Sequence, residues 1–214
     1  MILNIYKPVG WTSFDVVKKV RSITKEKKVG HGGTLDPFAE GVLIIGTGKD
    51  TKLLNSFTNA EKSYKAVLSL GTCTNTYDTE GDIIKKQKVP ILSIDKIKTT
   101  ITSFLGESMQ IPPMFSAKKV NGVRLYKLAR KNIKVERKPI AINISDIRLL
   151  DYSDYKISFS VVCSKGTYIR VLGKDIAEKF GTVGHLTSLI RTQVGEHSIK
   201  DSNSIDKIIS KWKY

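Results

Sequence analysis

The chain has 214 residues, 40% of them hydrophobic, and is therefore long enough to bury a core without disulfide or metal staples. Its 36 Lys and Arg residues against 20 Asp and Glu give a formal net charge of +16. That charge favours a polyanionic partner, the alternative being a lysine-rich surface that is merely solvated.

Neither a metal site nor a membrane segment is expected. Cys73 and Cys163 form no C-x-x-C pair, and the three histidines lack the helical spacing of metal ligands. The N-terminus has no basic region followed by an apolar run, and no stretch of roughly 18 apolar residues occurs. We therefore expect a cytoplasmic protein without a membrane partner.

The first third of the chain is predicted to begin with a strand over residues 2–6 and a turn at Lys7-Pro8-Val9-Gly10. Ser13 is then expected to be the N-cap of a helix that continues through Ile23. Residues 29–40, rich in Gly and polar side chains, fit neither periodicity and are predicted to be a loop.

The remaining predicted elements were assigned from periodicity and turn signals. They are a buried strand (42–45), a half-buried strand (63–70), a polar loop (72–82), a helix (94–105), a tight turn at Asn121-Gly122, a helix (124–131), a hairpin (140–150 with 156–163), and helices at 168–180 and 202–214. Strands and helices mix without regular βα alternation, which indicates an α+β fold with a mixed sheet. No repeat, linker or composition break occurs, so one compact domain is expected.

Two glycine-rich segments do not match the motifs of nucleotide-binding sites. Residues 46–51 lack the early Gly and the Ser or Thr of a Walker A motif, and residues 30–35 have Leu where a dinucleotide fingerprint needs Gly. No nucleotide cofactor is expected. A G-x-S-x-G elbow, which a serine hydrolase would need, is also absent from the sequence.

The segment Gly30-His31-Gly32-Gly33-Thr34-Leu35-Asp36-Pro37 surrounds one carboxylate with glycines and a proline. Glycines permit positive φ and close backbone approach, and Pro37 restricts Asp36 to extended geometry. Such a loop can hold a carboxylate rigidly against a ligand. The alternative is that Asp36 only caps the following turn.

This segment, with the residues that follow it, reads GHGGTLDPFAEGVLIIGTG and resembles the active-site region of TruB-type pseudouridine synthases. The segments KPVGWTSFDVV, EKSYKA, DTEGDI, QIPPMFSAKKVNGVRLYKLAR and CSKGTYIRVLGKDIAEKFGTVGHLTSLIRTQVG resemble that family in the same order. The resemblance implies a catalytic domain over residues 1–200, with a central mixed, mainly antiparallel sheet flanked by helices and loops. The sequence departs from the family pattern at its end, where a short C-terminal helix or tail over 201–214 is expected in place of the PUA-like RNA-binding domain that often follows.

The resemblance implies specific site residues. Asp36 is the catalytic aspartate, acting as a nucleophile on sugar or base or as a base on a ribose proton, which the sequence leaves open. Its loop neighbours are Gly32, Gly33, Thr34, Leu35 and Pro37. The implied support and substrate-binding residues are His31 (RNA loop), Tyr64 (stacking on the base), Tyr168 (pocket lining), Arg170 (pairing with Asp36) and Leu189 (apolar wall).

Four of the five supporting residues have a plainer alternative. Arg170 could bind solvent or phosphate, Tyr64 and Leu189 could be core residues, and a lone loop histidine such as His31 is often incidental. These roles therefore depend on the resemblance.

The implied function is isomerisation of uridine-55 in the T-loop of tRNA to pseudouridine, without metal or other cofactor, by a monomer that flips the base. Lys18, Lys19, Lys25, Lys27, Lys28, Lys118 and Lys119 are candidates for phosphate contact. The alternatives are a non-catalytic RNA-binding protein or RNA chaperone on the same scaffold, and a synthase for another RNA site.

Overall fold

The computed structural model describes residues 1–153 and 155–212. The chain divides into two compact units, one formed by residues 1–65 with the C-terminal segment from 189, the other by residues 66–188. None of the described helices is both long and apolar enough to span a bilayer.

The described strands and helices follow one another in chain order. They are β1 (Ile2–Lys7), α1 (Ser13–Thr24), β2 (Val29–His31), β3 (Glu40–Thr47), α2 (Leu54–Asn59), β4 (Lys62–Leu70), β5 (Thr72–Thr74), β6 (Ile83–Lys86), α3 (Ile94–Thr102), β7 (Gly106–Gln110), β8 (Lys119–Val120), β9 (Val123–Arg124), α4 (Leu125–Ala129), β10 (Ile140–Ser153), β11 (Lys156–Cys163), α5 (Ile169–Lys179), β12 (Gly184–Val194), β13 (His197–Ser198) and α6 (Ile205–Lys211). Short 3-10 helices lie at Gly48–Leu53 and Ile199–Asp201.

In the first unit, β3 is the central strand. It pairs antiparallel with β1 and with β2, and parallel with β12, where Arg191 lies opposite Gly41. A Cβ at Gly41 would collide with the Arg191 carbonyl oxygen, so this close pairing requires glycine. The sheet is mixed, as predicted.

Both faces of β3 are buried. Leu43 and Ile45 pack on one side with residues of α1 and α6, and Val42 and Ile44 pack on the other side with Leu54 of α2. Alternate residues of a strand point to opposite faces, so this one strand contributes to two apolar layers.

Helix α1 begins one residue earlier than predicted. Its N-cap is Thr12, which forms a capping box with Asp15, and Ser13 is the first helical residue. The predicted Ser13 cap is therefore wrong, because Thr12 and Asp15 have the spacing of a reciprocal cap. The Ser13 hydroxyl is instead hydrogen bonded to the backbone of Leu35.

In the second unit the strand order is β12-β4-β11-β10-β7, with β10 antiparallel to β11 and β7. The predicted hairpin and the α+β fold are confirmed. Asn121 and Gly122 have φ of 50° and 79° between β8 and β9, which confirms the tight turn.

Several predicted boundaries are wrong. The loops predicted at 29–40 and 72–82 begin with the short strands β2 and β5, and the helix predicted to 105 ends at Thr102. The C-terminal helix spans Ile205–Lys211, and the part predicted at Lys213 and Tyr214 lies outside the described residues.

Candidate functional site

Residues 32–39 connect β2 to β3, and we call them the aspartate loop. Leu35, Phe38 and Ala39 are buried, whereas Asp36 is partly exposed. The Asp36 carbonyl accepts a hydrogen bond of 3.1 Å from the Ala39 amide and closes a turn. The loop is therefore anchored by apolar side chains and leaves Asp36 partly exposed.

Two glycines fit the loop as the sequence predicts. A Cβ at Gly32 would lie 2.8 Å from the Phe57 Cβ, too close for any other residue, and Gly33 has φ of +117°. The loop can approach α2 at Gly32 only because that position lacks a side chain, and Gly33 permits the positive φ.

Arg191 binds the loop backbone from β12. Arg191 is only 1% exposed. Its guanidinium donates to the carbonyls of Val42 (2.7 Å), Thr34 (3.2 Å) and Gly33 (3.2 Å). These charge-assisted hydrogen bonds compensate for burial of the cation and fix two consecutive loop carbonyls.

Ser13 binds the next residue of the loop. Its hydroxyl donates to the Leu35 carbonyl at 3.0 Å and accepts from the Leu35 amide at 2.8 Å. The serine side chain thus satisfies both backbone groups of the residue that precedes Asp36.

Pro37, on the other side of Asp36, is held by residues 7–11. The Pro37 carbonyl accepts from the Gly10 amide at 2.8 Å and, at 3.4 Å, from the ammonium of Lys7. Lys7 is 0% exposed and also donates to the carbonyls of Pro8 and Trp11. A buried cation therefore anchors the C-terminal side of the aspartate loop.

Three other predicted site residues belong to the same unit as Asp36. His31 ends β2 opposite Ile45, and Tyr64 is a buried residue of β4. Leu189 is buried two residues before Arg191 on β12, so both side chains lie on one strand face.

Lys62, two residues before Tyr64, caps the end of α2. Its ammonium donates to the carbonyls of Phe57 (2.8 Å), Thr58 (2.6 Å) and Ala60 (2.7 Å). A lysine here satisfies carbonyls that the end of a helix leaves without intrahelical donors. The start of β4 is thereby fixed to the helix against which Gly32 packs.

Arg170 and Tyr168 belong to the second unit. Arg170, buried on α5, forms an ion pair of 3.3 Å with the buried carboxylate of Asp78 and donates to the carbonyls of Thr76 (2.7 Å) and Phe115 (2.8 Å). The Asp78 carboxylate also accepts from the Thr76 hydroxyl and the Glu80 amide. The guanidinium is thus held in one orientation by a carboxylate and two carbonyls.

Tyr168 precedes α5 as its N-cap residue. Its amide donates to the Gln110 side chain at 2.8 Å, and its carbonyl accepts from the same side chain at 3.2 Å. Gln110 is buried on β7, so the backbone that carries Tyr168 is fixed from a strand.

Metal-ligand and thiol chemistry have no assembled site among residues 1–153 and 155–212. No group of three or more His, Cys, Asp or Glu side chains able to hold a metal occurs there. Burial raises the pKa of the Cys73 thiol, which disfavours the reactive thiolate.

No role in the site was predicted from the sequence for six residues of these networks. They are Lys7, Ser13, Lys62, Asp78, Gln110 and Arg191, and each lies within a segment that resembles the family. A polar or charged residue within a matching segment was the available signal, but its partner could not be inferred from local pattern.

Comparison with known proteins assigns a family to the chain. Residues 21–169 match the family described as TruB family pseudouridylate synthase (N terminal domain). The protein named tRNA pseudouridine synthase B of Clostridium tetani is 46% identical over 207 residues, covering 97% of this chain and 72% of the relative. The protein of the same name from Clostridium acetobutylicum is 50% identical over 194 residues, covering 91% and 67%.

Two solved structures have the same fold. A chain in the crystal structure of a Cbf5-Nop10-Gar1 complex gives a TM-score of 0.76 at 27% identity, covering 98% of this chain and 53% of that one. A chain in an H/ACA RNP bound to a substrate RNA containing 2′-deoxyuridine gives 0.73 at 25% identity, covering 98% and 52%. The present chain thus spans about half the length of these two matched chains.

Proposed function

Because the chain belongs to the TruB family of pseudouridylate synthases, we propose that it is a tRNA pseudouridine synthase, an isomerase that converts uridine to pseudouridine. The observation that carries the proposal is the aspartate loop, whose backbone is held on both sides of Asp36 by buried polar side chains. A partly exposed aspartate with that much backbone support fits a reacting group better than a turn cap.

The finer proposal is that the substrate is the T-loop uridine of tRNA, uridine-55. The relatives are named tRNA pseudouridine synthase B, and hairpin-loop bases unstack at low cost and can be bound by stacking and edge contacts. A tRNA substrate implies action in the cytoplasm, and we propose that a monomer suffices.

The reaction breaks the N1–C1′ glycosidic bond, rotates the uracil, and joins C5 to C1′. The C5 proton is released and N1 takes up a proton, so the conversion is a balanced isomerisation without net redox change. We propose that Asp36 supplies the reacting carboxylate, either attacking sugar or base or removing a ribose proton. In each case its ionised form is required.

The other predicted residues are proposed to hold the flipped nucleotide. Arg170 pairs with the reacting carboxylate of Asp36, and Tyr64 stacks on the base. His31 supports the opened RNA loop. Tyr168 and Leu189 line the uracil pocket.

The phosphate backbone is proposed to bind exposed lysines and arginines. Between residues 118 and 138 the chain carries nine Lys or Arg and one Glu. Most of these basic side chains are exposed around β8, β9 and α4. Such a dense positive segment suits a polyanion such as tRNA.

The rival function is RNA binding without catalysis, as in an RNA chaperone. Charge fits both functions. Binding alone, however, does not require a partly exposed aspartate whose flanking backbone is fixed by Ser13, Lys7 and Arg191.

The direct test is to incubate the protein with unmodified tRNA transcript and map pseudouridine at single-nucleotide resolution. We expect modification at uridine-55 and not at other uridines, with activity retained after chelation provided that the tRNA remains folded. A transcript with cytidine at that position is the matched control. Tight binding with no modified nucleotide would support the chaperone, and modification elsewhere would correct the site.

A further inference from the structure

The contact between Ser13 and Leu35 is unusual because one hydroxyl serves both backbone groups of one residue. The hydroxyl donates to the Leu35 carbonyl and accepts from the Leu35 amide, at 3.0 and 2.8 Å. Ser13 and Leu35 are each only 3% exposed, so water does not readily replace either bond. The serine hydroxyl thus makes the two backbone hydrogen bonds that a neighbouring β-strand would otherwise provide to the residue before Asp36.

The hydroxyl is free for this purpose because it is not needed to cap α1. The capping box of α1 is formed by Thr12 and Asp15. Val16, Val17 and Val20 follow Ser13 on the same side of the helix and bury that side in the core of the first unit. The helix therefore presents the Ser13 hydroxyl from a rigid base.

The remaining loop contacts leave little backbone freedom around Asp36. Arg191 binds the carbonyls of Gly33 and Thr34 and thereby fixes the start of the loop. The Pro37 carbonyl is bound by the Gly10 amide on the other side. The Leu35 peptide connects the fixed start to Asp36, and Ser13 is the side chain that holds it.

We propose that Ser13 is a positioning residue that sets the direction of the Asp36 carboxylate for the reaction. The inference rests on the proposed function, because it matters only if Asp36 reacts. Without the hydroxyl, the Leu35 peptide can rotate and Asp36 loses its set direction. Misplacement of a reacting group by about 1 Å costs roughly a hundredfold in rate, whereas RNA affinity comes mainly from phosphate contacts.

The test compares Ser13→Ala with Val16→Ala, two truncations on the same helix. Val16 is completely buried in the core cluster but has no side-chain group that can hydrogen bond to the loop, so its truncation lowers stability while the Ser13 hydroxyl remains beside Leu35. Single-turnover rates at saturating protein and tRNA dissociation constants are measured for both variants, at a temperature where circular dichroism shows each to be folded.

We expect Ser13→Ala to lower the single-turnover rate by roughly tenfold to a hundredfold while the dissociation constant changes less than about threefold. Val16→Ala should keep its rate within about threefold despite a larger loss of thermal stability. A normal rate for Ser13→Ala, or an equal loss of rate in Val16→Ala, would overturn the positioning role.

Asp36→Asn, measured beside them, separates this inference from the proposed function. If it retains turnover, the reacting group has been misassigned, whatever Ser13 does. If Ser13→Ala does not fold, amide hydrogen exchange of the unsubstituted protein decides instead. We expect the Leu35 amide to be protected, and exchange as fast as that of an exposed loop amide would refute the anchor.

Discussion

At the scale of single residues, the chain compensates its buried cations in two different ways. Lys7 and Arg191 donate to backbone carbonyls, whereas Arg170 is paired with the buried carboxylate of Asp78. Carbonyl oxygens bind a cation without carrying a formal charge of their own, whereas a carboxylate also supplies the opposite charge. Loss of Asp78 should therefore remove a buried negative charge beside the Arg170 guanidinium, a large and measurable penalty.

We expect Asp78→Ala to lower the free energy of unfolding by about 3–5 kcal/mol, because the Arg170 guanidinium stays buried and loses the Asp78 carboxylate. Asp146→Ala is the control, since its partner Arg148 has a side chain 74% exposed and such pairs contribute only about 0–1 kcal/mol. Urea unfolding followed by circular dichroism measures both variants. Equal losses in the two would show that burial of the Arg170 pair carries no extra penalty.

The residues that could be predicted are those whose local pattern constrains the backbone. Gly33 has the positive φ that its setting in the aspartate loop suggested, and the turn at Asn121-Gly122 forms as expected. The roles of Ser13 and Asp78 could not be predicted, because their partners lie far away in sequence. A hydroxyl or carboxylate gives no local signal of such a partner.

At the scale of elements, β1 and β3 are joined by a side-chain hydrogen bond as well as by their ladder. The Tyr6 hydroxyl donates to the Glu40 carboxylate at 2.6 Å. Burial, together with the hydrogen bond to Glu40 and its negative charge, raises the pKa of Tyr6 from 10.0 to about 12. The folded protein therefore holds the phenol proton more tightly than the unfolded chain does.

The raised pKa of Tyr6 determines how the stability of the protein depends on pH. Below pH 10 both states keep the proton and the stabilisation is complete, whereas between about pH 10 and 12 only the unfolded chain releases it, so stability falls as pH rises. We expect Tyr6→Phe, which has no phenol proton, to show a shallower fall over this window in chemical unfolding. Tyr155→Phe, at an exposed position, is the control. Identical slopes for Tyr6→Phe and the unsubstituted protein would contradict the raised pKa.

Long, strongly patterned elements were predictable and short ones were not. The alternation over residues 63–70 identified β4, whose buried residues include Tyr64, Ala66 and Leu68. The short strand β2 was missed because Gly30 and His31 have no apolar alternation, and its pairing with β3 supplies the missing stabilisation.

At the scale of the whole molecule, the net charge could be predicted from the sequence, but the division into two units could not. The charge of +16 was evident from composition, whereas the two units were not, since no composition change occurs near residues 65 and 188. The boundaries fall within β4 and near the middle of β12, and a continuous strand pattern conceals them.

We expect tRNA affinity to fall about a thousandfold or more between roughly 50 and 200 mM salt, because several lysines neutralise phosphates and release counterions. The double variant Lys131→Glu/Lys134→Glu, within the basic segment 118–138, should bind more weakly and lower the salt slope by about one for each lost phosphate contact. Lys96→Glu/Lys98→Glu on α3 changes the net charge equally and is the control. A flat salt dependence, or equal effects of both double variants, would count against a binding role of this segment.

The most direct test of the central proposal, that Asp36 is the reacting carboxylate of a pseudouridine synthase, is single-turnover tritium release from tRNA carrying 5-³H-uridine. The proposal predicts release by the unsubstituted protein and none above background by Asp36→Asn, with tRNA affinity within about tenfold, or about 1.4 kcal/mol. Asparagine is also a good helix or turn cap, so a merely structural aspartate would tolerate it. Near-normal tritium release by Asp36→Asn would contradict the assignment and the mechanism built on it.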